Sequence, residues 1–287
     1  MNTFAVIDIG SNSVRLMFVA DGKVLYKRLN STRLGEGIAD LPVLKETAIE
    51  RTAKAVAEFF TLAKADGAQA VYAFATAAVR TAKNGTQFTE RVKTLCGLDV
   101  EIVSGEKEAE LAILGALGDN DGAVMDMGGA STELVVRNNG ETVYKKSVDI
   151  GVVRVKDTCG RDKEKLQKVA KAAAEAYGET PLLRSVTAIG GTATTLAALK
   201  LGLKEYDSNK VTGTEITVEE MQKTADELLK MPVEEIAALP CMPKGRADVL
   251  AGGATLFAVI MQKLGIEKLV VSDRDNLEGY AVQKGIL

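Results

Sequence analysis

Two short segments contain residue types that could bind phosphate: residues 8–13 (DIGSNS) and residues 126–131 (DMGGAS). In each segment an aspartate ends an apolar run and is followed by glycine and small polar side chains. Consecutive free backbone N–H groups in such a turn form a concave anion site, and the hydroxyl groups add donors for phosphate oxygens. Because an aspartate repels phosphate, we expect a divalent cation between the two groups, held at Asp8 and Asp126.

The predicted phosphate-binding residues all lie in or directly after these glycine turns: Gly10, Ser11, Asn12, Ser13, Gly128, Gly129 and Ser131. We expect Gly10 to adopt positive φ, because glycine does so without a steric penalty. The alternative is that each segment is an ordinary turn between strands. The presence of two matching copies in the same register argues against this alternative. The chain has no GxxxxGK[ST] stretch, so the P-loop type of phosphate site is excluded.

Three glutamates follow Ser104, which is expected to cap a helix that runs to about Gly118. Helical geometry places Glu106 and Glu110 on one face and Glu108 on the opposite side, beside small residues. Glu108 is therefore the candidate that could face a cleft. The other side of this helix is also apolar, so spacing alone leaves the orientation open.

Three further charged residues occupy positions where a functional and a structural role are both possible. Glu133 follows Asp126 by seven residues and begins the strand after the second loop; the alternative is an outward strand glutamate. Arg80 follows a buried strand and could neutralise charge on a reacting phosphate; the alternative is a surface helix arginine. Arg15 shares a strand face with Ser13, so it could reach the same cleft.

The composition excludes several classes of function. None of the 287 residues is histidine, which excludes Ser-His-Asp and Cys-His catalysis and histidine-ligated metals. A net charge of −3 argues against general nucleic-acid binding. The three cysteines lack metal-site spacing, so we expect free thiols in a reducing compartment. We find no secretory leader pattern and no membrane span, and therefore expect a cytoplasmic protein without a membrane partner.

An internal repeat relates the two predicted loops. Residues 4–28 align with residues 122–146 without gaps, and the pair Asp21-Gly22 falls on Asn139-Gly140. Such Asx-Gly pairs between alternating apolar residues indicate two-residue hairpin turns. Each copy therefore predicts three strands joined by tight turns, and the repeat indicates a duplicated architecture.

Helices and buried strands alternate after each predicted meander, which is typical of α/β layers. We predict two related domains with an active-site cleft between them. The run GDNDG at residues 118–122 marks the boundary, which gives domains 1–119 and 120–287. The last helix is expected at residues 277–284, and it could pack back on the first domain.

The chain resembles the exopolyphosphatase/guanosine pentaphosphate phosphohydrolase family, within the superfamily of actin, sugar kinases and heat-shock chaperone ATPases. The resemblance runs nearly end to end and rests on DIGSNSVRL (8–16), ATAAVRTAKNG (75–85), VSGEKEAELAILGAL (103–117), DMGGASTEL (126–134) and RADVLAGGATL (246–256). It implies the short form with two actin-like (ribonuclease H-like) domains. Two positions depart from the family pattern: Ala130 replaces a third glycine, and residues 275–279 (DNLEG) lack the family's arginine. A methyl group at Ala130 requires that its φ stay below zero.

The resemblance also implies the site and its chemistry. Glu108 would be the general base that takes a proton from water, Glu133 would position the water or the metal, and Arg80 would contact phosphate. The implied cofactor is Mg²⁺. The implied reaction releases orthophosphate from the end of inorganic polyphosphate, and the alternative substrate is the 5′-phosphate of guanosine pentaphosphate. Two other classes stay open: a non-catalytic phosphate or alarmone sensor, and a sugar-kinase-like enzyme. A homodimer is possible.

Overall fold

Two β-sheets form the frame of the protein in a computed structural model that describes residues 2–39 and 41–287. Met1, the first residue of the first predicted domain, lies outside the described residues. The first half contains the strands β1 (Thr3–Ile9), β2 (Val14–Ala20), β3 (Lys23–Asn30), β4 (Ala70–Ala75) and β5 (Glu101–Ile102). They lie in the order β3-β2-β1-β4-β5, with β1 to β3 antiparallel and β4 and β5 parallel to β1. The helices of this half are α1 (Glu46–Ala65), α2 (Ala77–Thr81), α3 (Gly85–Cys96) and α4 (Gly105–Leu117).

The second half repeats this plan and extends it by one strand. Its strands are β6 (Gly122–Met127), β7 (Thr132–Asn138), β8 (Glu141–Val148), β9 (Ser185–Ile189), β10 (Glu215–Thr217) and β11 (Lys268–Val271), in the order β10-β11-β9-β6-β7-β8. Its helices are α5 (Val152–Cys159), α6 (Lys163–Ala176), α7 (Gly191–Lys200), α8 (Ser208–Val211), α9 (Val218–Lys230), α10 (Val233–Ala237), α11 (Ala247–Leu264) and α12 (Asn276–Gln283). The predicted α/β class is confirmed.

The two meanders repeat each other in fine detail. Both hairpin turns have positive φ at both central residues: 47° and 72° at Asp21 and Gly22, and 52° and 78° at Asn139 and Gly140. These are the dihedral signs of the tight turn that Asx-Gly pairs favour. A register shift also occurs at equivalent places, between Phe18 and Val19 and between Val136 and Arg137. The internal repeat in the sequence is therefore a repeat of backbone geometry.

Three sequence expectations differ from the observed elements. Residues 152–159 form α5, which we did not predict, because the apolar run Val-Val-Arg-Val has no helical period of its own. The strand β10 has only three residues and is too short to give a pattern. The apolar run at residues 70–75, which is the predicted buried strand before Arg80, forms β4, but only its last three residues are buried, because its first half lies near the protein surface.

The helices α4 and α12 are exchanged between the two sheets. The inner face of α4 packs on the second sheet, through Ala109, Ala112, Ile113, Val124, Val135 and Ile189. The inner face of α12 packs on the first sheet, through Leu277, Tyr280, Ala281, Val6, Met17 and Phe74. The boundary at residue 119 stays a prediction, but each half of the chain supplies one helix to the core of the other.

The exchanged helices cross at a pair of glycines. A Cβ atom placed on Gly115 of α4 would lie 1.8 Å from the carbonyl oxygen of Asp275, and one placed on Gly279 of α12 would lie 2.0 Å from that of Leu111. Both clashes are with backbone atoms, which no side-chain rotation relieves. The two backbones are in such close contact that glycine is required at both Gly115 and Gly279.

We expect Gly115→Ala to destabilise the protein by about 3 kcal/mol or more, the upper range for overpacking, because the helices must separate. Chemical denaturation measures the change in the free energy of unfolding. The matched control is Gly252→Ala, also inside a helix, where the nearest atom to the new Cβ is a side-chain methyl of Val155 at 3.1 Å. An equal loss of stability in both variants would contradict this account of the crossing.

The helix α11 forms the centre of the second half. By length and composition it is long and apolar enough to cross a membrane, but 78% of its residues are buried inside the protein. It packs against α5, α6 and α9. Burial on this scale is typical of a core helix.

Candidate active site and metal centre

The two predicted phosphate loops touch each other in the middle of the molecule. A Cβ atom placed on Gly129 would lie 2.8 Å from Cβ of Ser11 and 3.2 Å from the backbone nitrogen of Asn12. The second loop therefore packs directly on the first, and position 129 has no room for a side chain. Both loops line one cavity of about 1170 Å³ whose walls come from both halves of the chain.

The same hydrogen bond closes each loop. The N–H of Gly10 donates to the carbonyl of Ser13 at 3.0 Å, and the N–H of Gly128 donates to the carbonyl of Ser131 at 3.0 Å. Our expectation of positive φ at Gly10 is wrong. Space is tight at this position, because a Cβ atom would lie 3.2 Å from the Ser13 carbonyl oxygen. Ala130 does not adopt positive φ either, so its methyl group causes no backbone strain.

Three buried carboxylates meet beside the loops. Glu108, Asp126 and Glu133 are each at most 6% exposed, and one oxygen from each lies within 4.8 Å of the others. Glu108 comes from the first turn of α4, while Asp126 is the last but one residue of β6 and lies opposite Glu133 of β7 in the strand register. Carboxylates this close repel one another. Either a bound cation compensates their charge or at least one of them is protonated.

Glu108 is held in place by Arg80. The Nη1 atom of Arg80 donates to Oε2 of Glu108 at 2.8 Å and to the carbonyl of Val103 at 3.0 Å. By contrast, Glu106 on the same helix turn has a side chain that is 81% exposed. Burial raises the pKa of Glu108 to about 7, and the Arg80 charge opposes that shift. A carboxylate with this pKa is suited to accept a proton near neutral pH.

Hydrogen bonds from neighbouring side chains orient Asp126 and Glu133. The Nδ2 atom of Asn276 donates to Oδ2 of Asp126 at 2.6 Å, and the hydroxyl of Ser147 donates to Oε1 of Glu133 at 2.7 Å. Burial, and next the charge of Asp275, raise the pKa of Asp126 to about 6. Burial and the neighbouring Glu108 carboxylate raise the pKa of Glu133 well above its ordinary value.

Asp8 is not part of this acidic group among the described residues, because it pairs with Arg15. The guanidinium donates from Nε to Oδ2 of Asp8 at 3.1 Å, and its other nitrogens bond Asp8 and Asp275. Burial raises the pKa of Asp8, and Arg15 partly offsets that rise. A metal role for Asp8 stays a prediction, since its nearest cation here is an arginine.

A buried cation lies at another wall of the cavity, directly before α11. Arg246 is 5% exposed, its Nε atom has no hydrogen-bond partner, and its guanidinium forms no ion pair within the described residues. A Cβ atom placed on Gly191 would lie 2.3 Å from its Nη2 atom, so the guanidinium lies against the N-terminus of α7. Burial, and next the charge of Arg15, lower the pKa of Arg246 to about 10. An unpaired buried cation at a helix N-terminus creates a strong anion site.

The predicted site residues fall into two groups in the structure. The loop residues, Asp8, Asp126 and Glu108 line the cavity, whereas Arg80 and Glu133 are not in its wall and contact the acidic group from the protein side. Sequence reasoning missed Arg246 and Asn276. A signal for Arg246 was present, because a charged residue at the start of the most apolar helix needs a reason.

The acidic group fits a divalent metal ion. Its donors are all carboxylate oxygens, which hard cations such as Mg²⁺ prefer. The Oε2 atom of Glu133 is buried and has no hydrogen-bond partner in the described part of the chain, so a ligand atom is left for an ion. Glu108, Asp126 and Glu133 would hold the metal.

We expect the apparent Mg²⁺ affinity to rise with pH. The metal needs deprotonated ligands, but the pKa values of about 7 for Glu108 and about 6 for Asp126 leave them increasingly protonated as the pH falls. Below these pKa values the affinity should fall by about tenfold per pH unit for each proton displaced. Calorimetric titration with Mg²⁺ at pH 6, 7 and 8 measures this slope.

The metal-free protein should show the opposite trend in stability. Raised pKa values mean that the folded state binds these protons more tightly than the unfolded state does. Their contribution to stability is present at low pH and is lost as the pH rises through about 6 to 7. The Tm without metal should therefore be lower at pH 8 than at pH 6, and Mg²⁺ should reverse this at pH 8. An affinity that is flat with pH would contradict both statements.

Two duplicated α/β halves, with phosphate-type loops meeting in a cleft, define an actin-like class of protein, and solved structures agree. An exopolyphosphatase-like protein superposes with a TM-score of 0.90 at 27% identity, covering 99% of this chain and 98% of that chain. The family member from Aquifex aeolicus superposes with a TM-score of 0.79 at 31% identity, covering 99% and 98%. The expected two-domain actin-like fold is confirmed.

The sequence comparisons are more specific. The model of the Ppx/GppA phosphatase family matches residues 18–285. Exopolyphosphatase 2 of Mycobacterium tuberculosis is 32% identical, over 97% of both chains. Guanosine-5′-triphosphate,3′-diphosphate pyrophosphatase of Vibrio vulnificus is 26% identical, over 98% of this chain and 59% of its own. The chain belongs to the Ppx/GppA phosphatase family.

Proposed function

We propose that this protein is a Mg²⁺-dependent exopolyphosphatase that releases terminal orthophosphate from inorganic polyphosphate. The observation that supports it best is the meeting of two phosphate-type loops beside the carboxylate of Glu108. The resemblance in length and sequence to Exopolyphosphatase 2 of Mycobacterium tuberculosis favours this substrate. Guanosine pentaphosphate is the second candidate.

The residues of the cavity suggest a division of labour. The backbone N–H groups of the two loops bind phosphoryl oxygens, and Arg246 with the N-terminus of α7 binds a second negative charge. Glu108 takes a proton from the attacking water, while Arg80 fixes the orientation of its carboxylate. A Mg²⁺ ion held by the acidic group would neutralise charge on the phosphate. Glu133 and Asp126 orient the metal or the water.

A base that activates water favours hydrolysis over kinase chemistry. The fold alone fits both, because function depends on the site rather than on the fold. Glu108 lines the cavity directly, so a water molecule there meets a carboxylate that can accept a proton. A sugar-kinase-like enzyme would consume ATP only when a phosphate acceptor is present, which gives a simple distinction.

One specific feature favours guanosine pentaphosphate as the second substrate. Tyr206 lines the same cavity and is 47% exposed, so a purine base could stack on its ring. Its hydroxyl donates to Asp273, which fixes the ring at the cavity wall. A linear polyphosphate makes no use of an aromatic surface.

The test compares phosphate release from short polyphosphate, long polyphosphate and guanosine pentaphosphate, each with Mg²⁺. We expect turnover of polyphosphate that requires Mg²⁺ and that is lost in Glu108→Gln. Turnover of guanosine pentaphosphate alone would select the second candidate. Binding of these ligands without phosphate release by the wild-type protein would instead identify a sensor.

We further propose a cytoplasmic location and no nucleic-acid or membrane partner. Free thiols at Cys96, Cys159 and Cys241 support a reducing compartment. A homodimer is the assembly to test, and light scattering coupled to size-exclusion chromatography measures it.

A further inference from the structure

Asn276 joins a carboxylate of the second sheet to a helix that packs on the first sheet. Its Nδ2 atom donates to Oδ2 of Asp126 at 2.6 Å, and the residue is 3% exposed. Asp126 belongs to β6, whereas α12, which begins at Asn276, packs its inner face on the first sheet. This hydrogen bond therefore connects the two halves directly beside the acidic group.

The backbone at Asn276 is fixed by hydrogen bonds on both sides. The Oδ1 atom of Asp275 accepts from the N–H of Leu277 at 3.0 Å, and the carboxylate of Glu278 accepts from the N–H of Asp275 at 3.0 Å. The other oxygen of Asp275 is bonded to Arg15. These contacts include the capping box of α12. The amide of Asn276 is therefore held on a rigid first turn.

The other end of the same amide has no partner. Since a carboxylate accepts hydrogen bonds, the Nδ2 atom faces Asp126 and the Oδ1 atom points away from it. Asn276 lines the cavity, and its Oδ1 atom is buried with no hydrogen-bond partner in the described part of the chain. An unpartnered buried oxygen costs free energy. A water molecule in the cavity is a donor that can satisfy it.

A neutral amide suits this position better than a charged group. Glu108 already receives a full positive charge from Arg80 at 2.8 Å. A cation bonded to Asp126 would compete with a metal for the carboxylate, whereas an amide orients the carboxylate and leaves its charge to the metal. The contact is not one that the family resemblance implies, because residues 275–279 (DNLEG) depart from the family pattern.

We propose that Asn276 is a positioning residue for the metal. Its Nδ2 atom orients the Asp126 carboxylate, and its Oδ1 atom accepts a hydrogen bond from a water molecule of the metal's hydration shell. Mg²⁺ keeps several water molecules when it binds to proteins, and each has protons to donate. The inference deepens the proposed function and rests on it for the presence of a metal.

The first test is calorimetric titration of the full chain with Mn²⁺ at pH 8. Asn276→Leu keeps a similar volume but has neither donor nor acceptor, and Asn276→Ala makes the same loss without added bulk. Loss of such an outer partner of a metal ligand should lower the Mn²⁺ affinity about 10- to 100-fold in each variant. Circular dichroism checks that the variants are folded.

The matched control is Asn209→Leu, which makes the same substitution at an exposed asparagine of the same cavity. We expect its Mn²⁺ affinity to equal that of the wild type. A folded Asn276 variant that also keeps the wild-type affinity would overturn the proposal, and an equal loss in Asn209→Leu would do the same.

The second test needs no variant. In a crystal structure of the wild-type protein with Mn²⁺, the Oδ1 atom of Asn276 should lie about 2.5–3.0 Å from a water molecule bound to the ion. The Nδ2 atom should still bond Asp126. An Asn276 side chain turned away from Asp126, or an Oδ1 atom without such a water molecule, would contradict the proposal, as would a wild-type protein that binds no Mn²⁺.

Metal binding and activity are measured separately, so the two proposals fail separately. If the wild type binds Mn²⁺ but releases no phosphate from any of the three substrates, the proposed function fails and the role of Asn276 is still decided by the affinities. If phosphate is released and Asn276→Leu keeps the wild-type Mn²⁺ affinity, only the role of Asn276 is lost.

Discussion

Glu108→Gln is expected to lose nearly all phosphate release while staying folded. The amide has the same shape and still accepts the hydrogen bond from Arg80, but it cannot take a proton from water. General-base assistance is worth ~10²–10⁴ in rate, so kcat should fall by about that factor. At saturating Mg²⁺ the KM for polyphosphate should change little, because the loops that bind phosphate are untouched, whereas the apparent Mg²⁺ affinity should fall with the loss of one carboxylate ligand. Phosphate release at saturating polyphosphate and Mg²⁺ measures the effect.

The matched control for this variant is Glu106→Gln. It makes the same substitution two residues away on the same helix, at a side chain that is 81% exposed. We expect unchanged kcat and an unchanged Tm. If Glu108→Gln kept wild-type turnover, the proton acceptor would have to be another group, and the assignment of the base would be wrong.

Arg246→Met is expected to lower activity and raise stability together. Methionine has a similar length and no charge, so it removes the anion-binding donors while filling much of the space. Loss of a charge-stabilising donor costs ~10²–10³ in kcat. Removing a buried polar group that has no partner should stabilise the folded protein by ~1–3 kcal/mol. Turnover and the free energy of unfolding are both measured on the same preparation.

The control for the second variant is Arg33→Met, because Arg33 already has its partners. It bonds Oδ1 of Asp248 at 2.6 Å and the carbonyl of Gly245 at 3.2 Å, and it is outside the cavity wall. We expect Arg33→Met to lower the Tm and to leave kcat unchanged. A loss of stability without a loss of activity in Arg246→Met would show that Arg246 is structural.

The meanders and their turns were predictable because their determinants are local. Asp21-Gly22 and Asn139-Gly140 adopt the positive φ values that Asx-Gly pairs favour, and the alternating pattern sets the strands. The pairing of Arg15 with Asp8 also followed from register, because a tight hairpin places these two residues opposite each other. From the sequence alone we expected only that Arg15 could reach the cleft.

The rest of the site depends on contacts between distant parts of the chain. The tight space at Gly10 comes from a nearby carbonyl oxygen rather than from a special φ, and a sequence pattern does not separate these causes. Whether Arg246 has a hydrogen-bond or ion-pair partner depends on all the side chains packed around it, and these come from distant parts of the sequence. The bond from Asn276 to Asp126 joins residues 150 positions apart, in a segment where the family pattern itself is altered.

The crossing of α4 and α12 determines how the protein unfolds. Each half contributes a helix to the hydrophobic core of the other. Neither half can therefore unfold without exposing apolar surface in both. We therefore expect one calorimetric transition rather than two, despite the duplicated architecture. A half expressed on its own would lack one of the helices that cover its hydrophobic core. The ancestral duplication has in this way become a single cooperative unit.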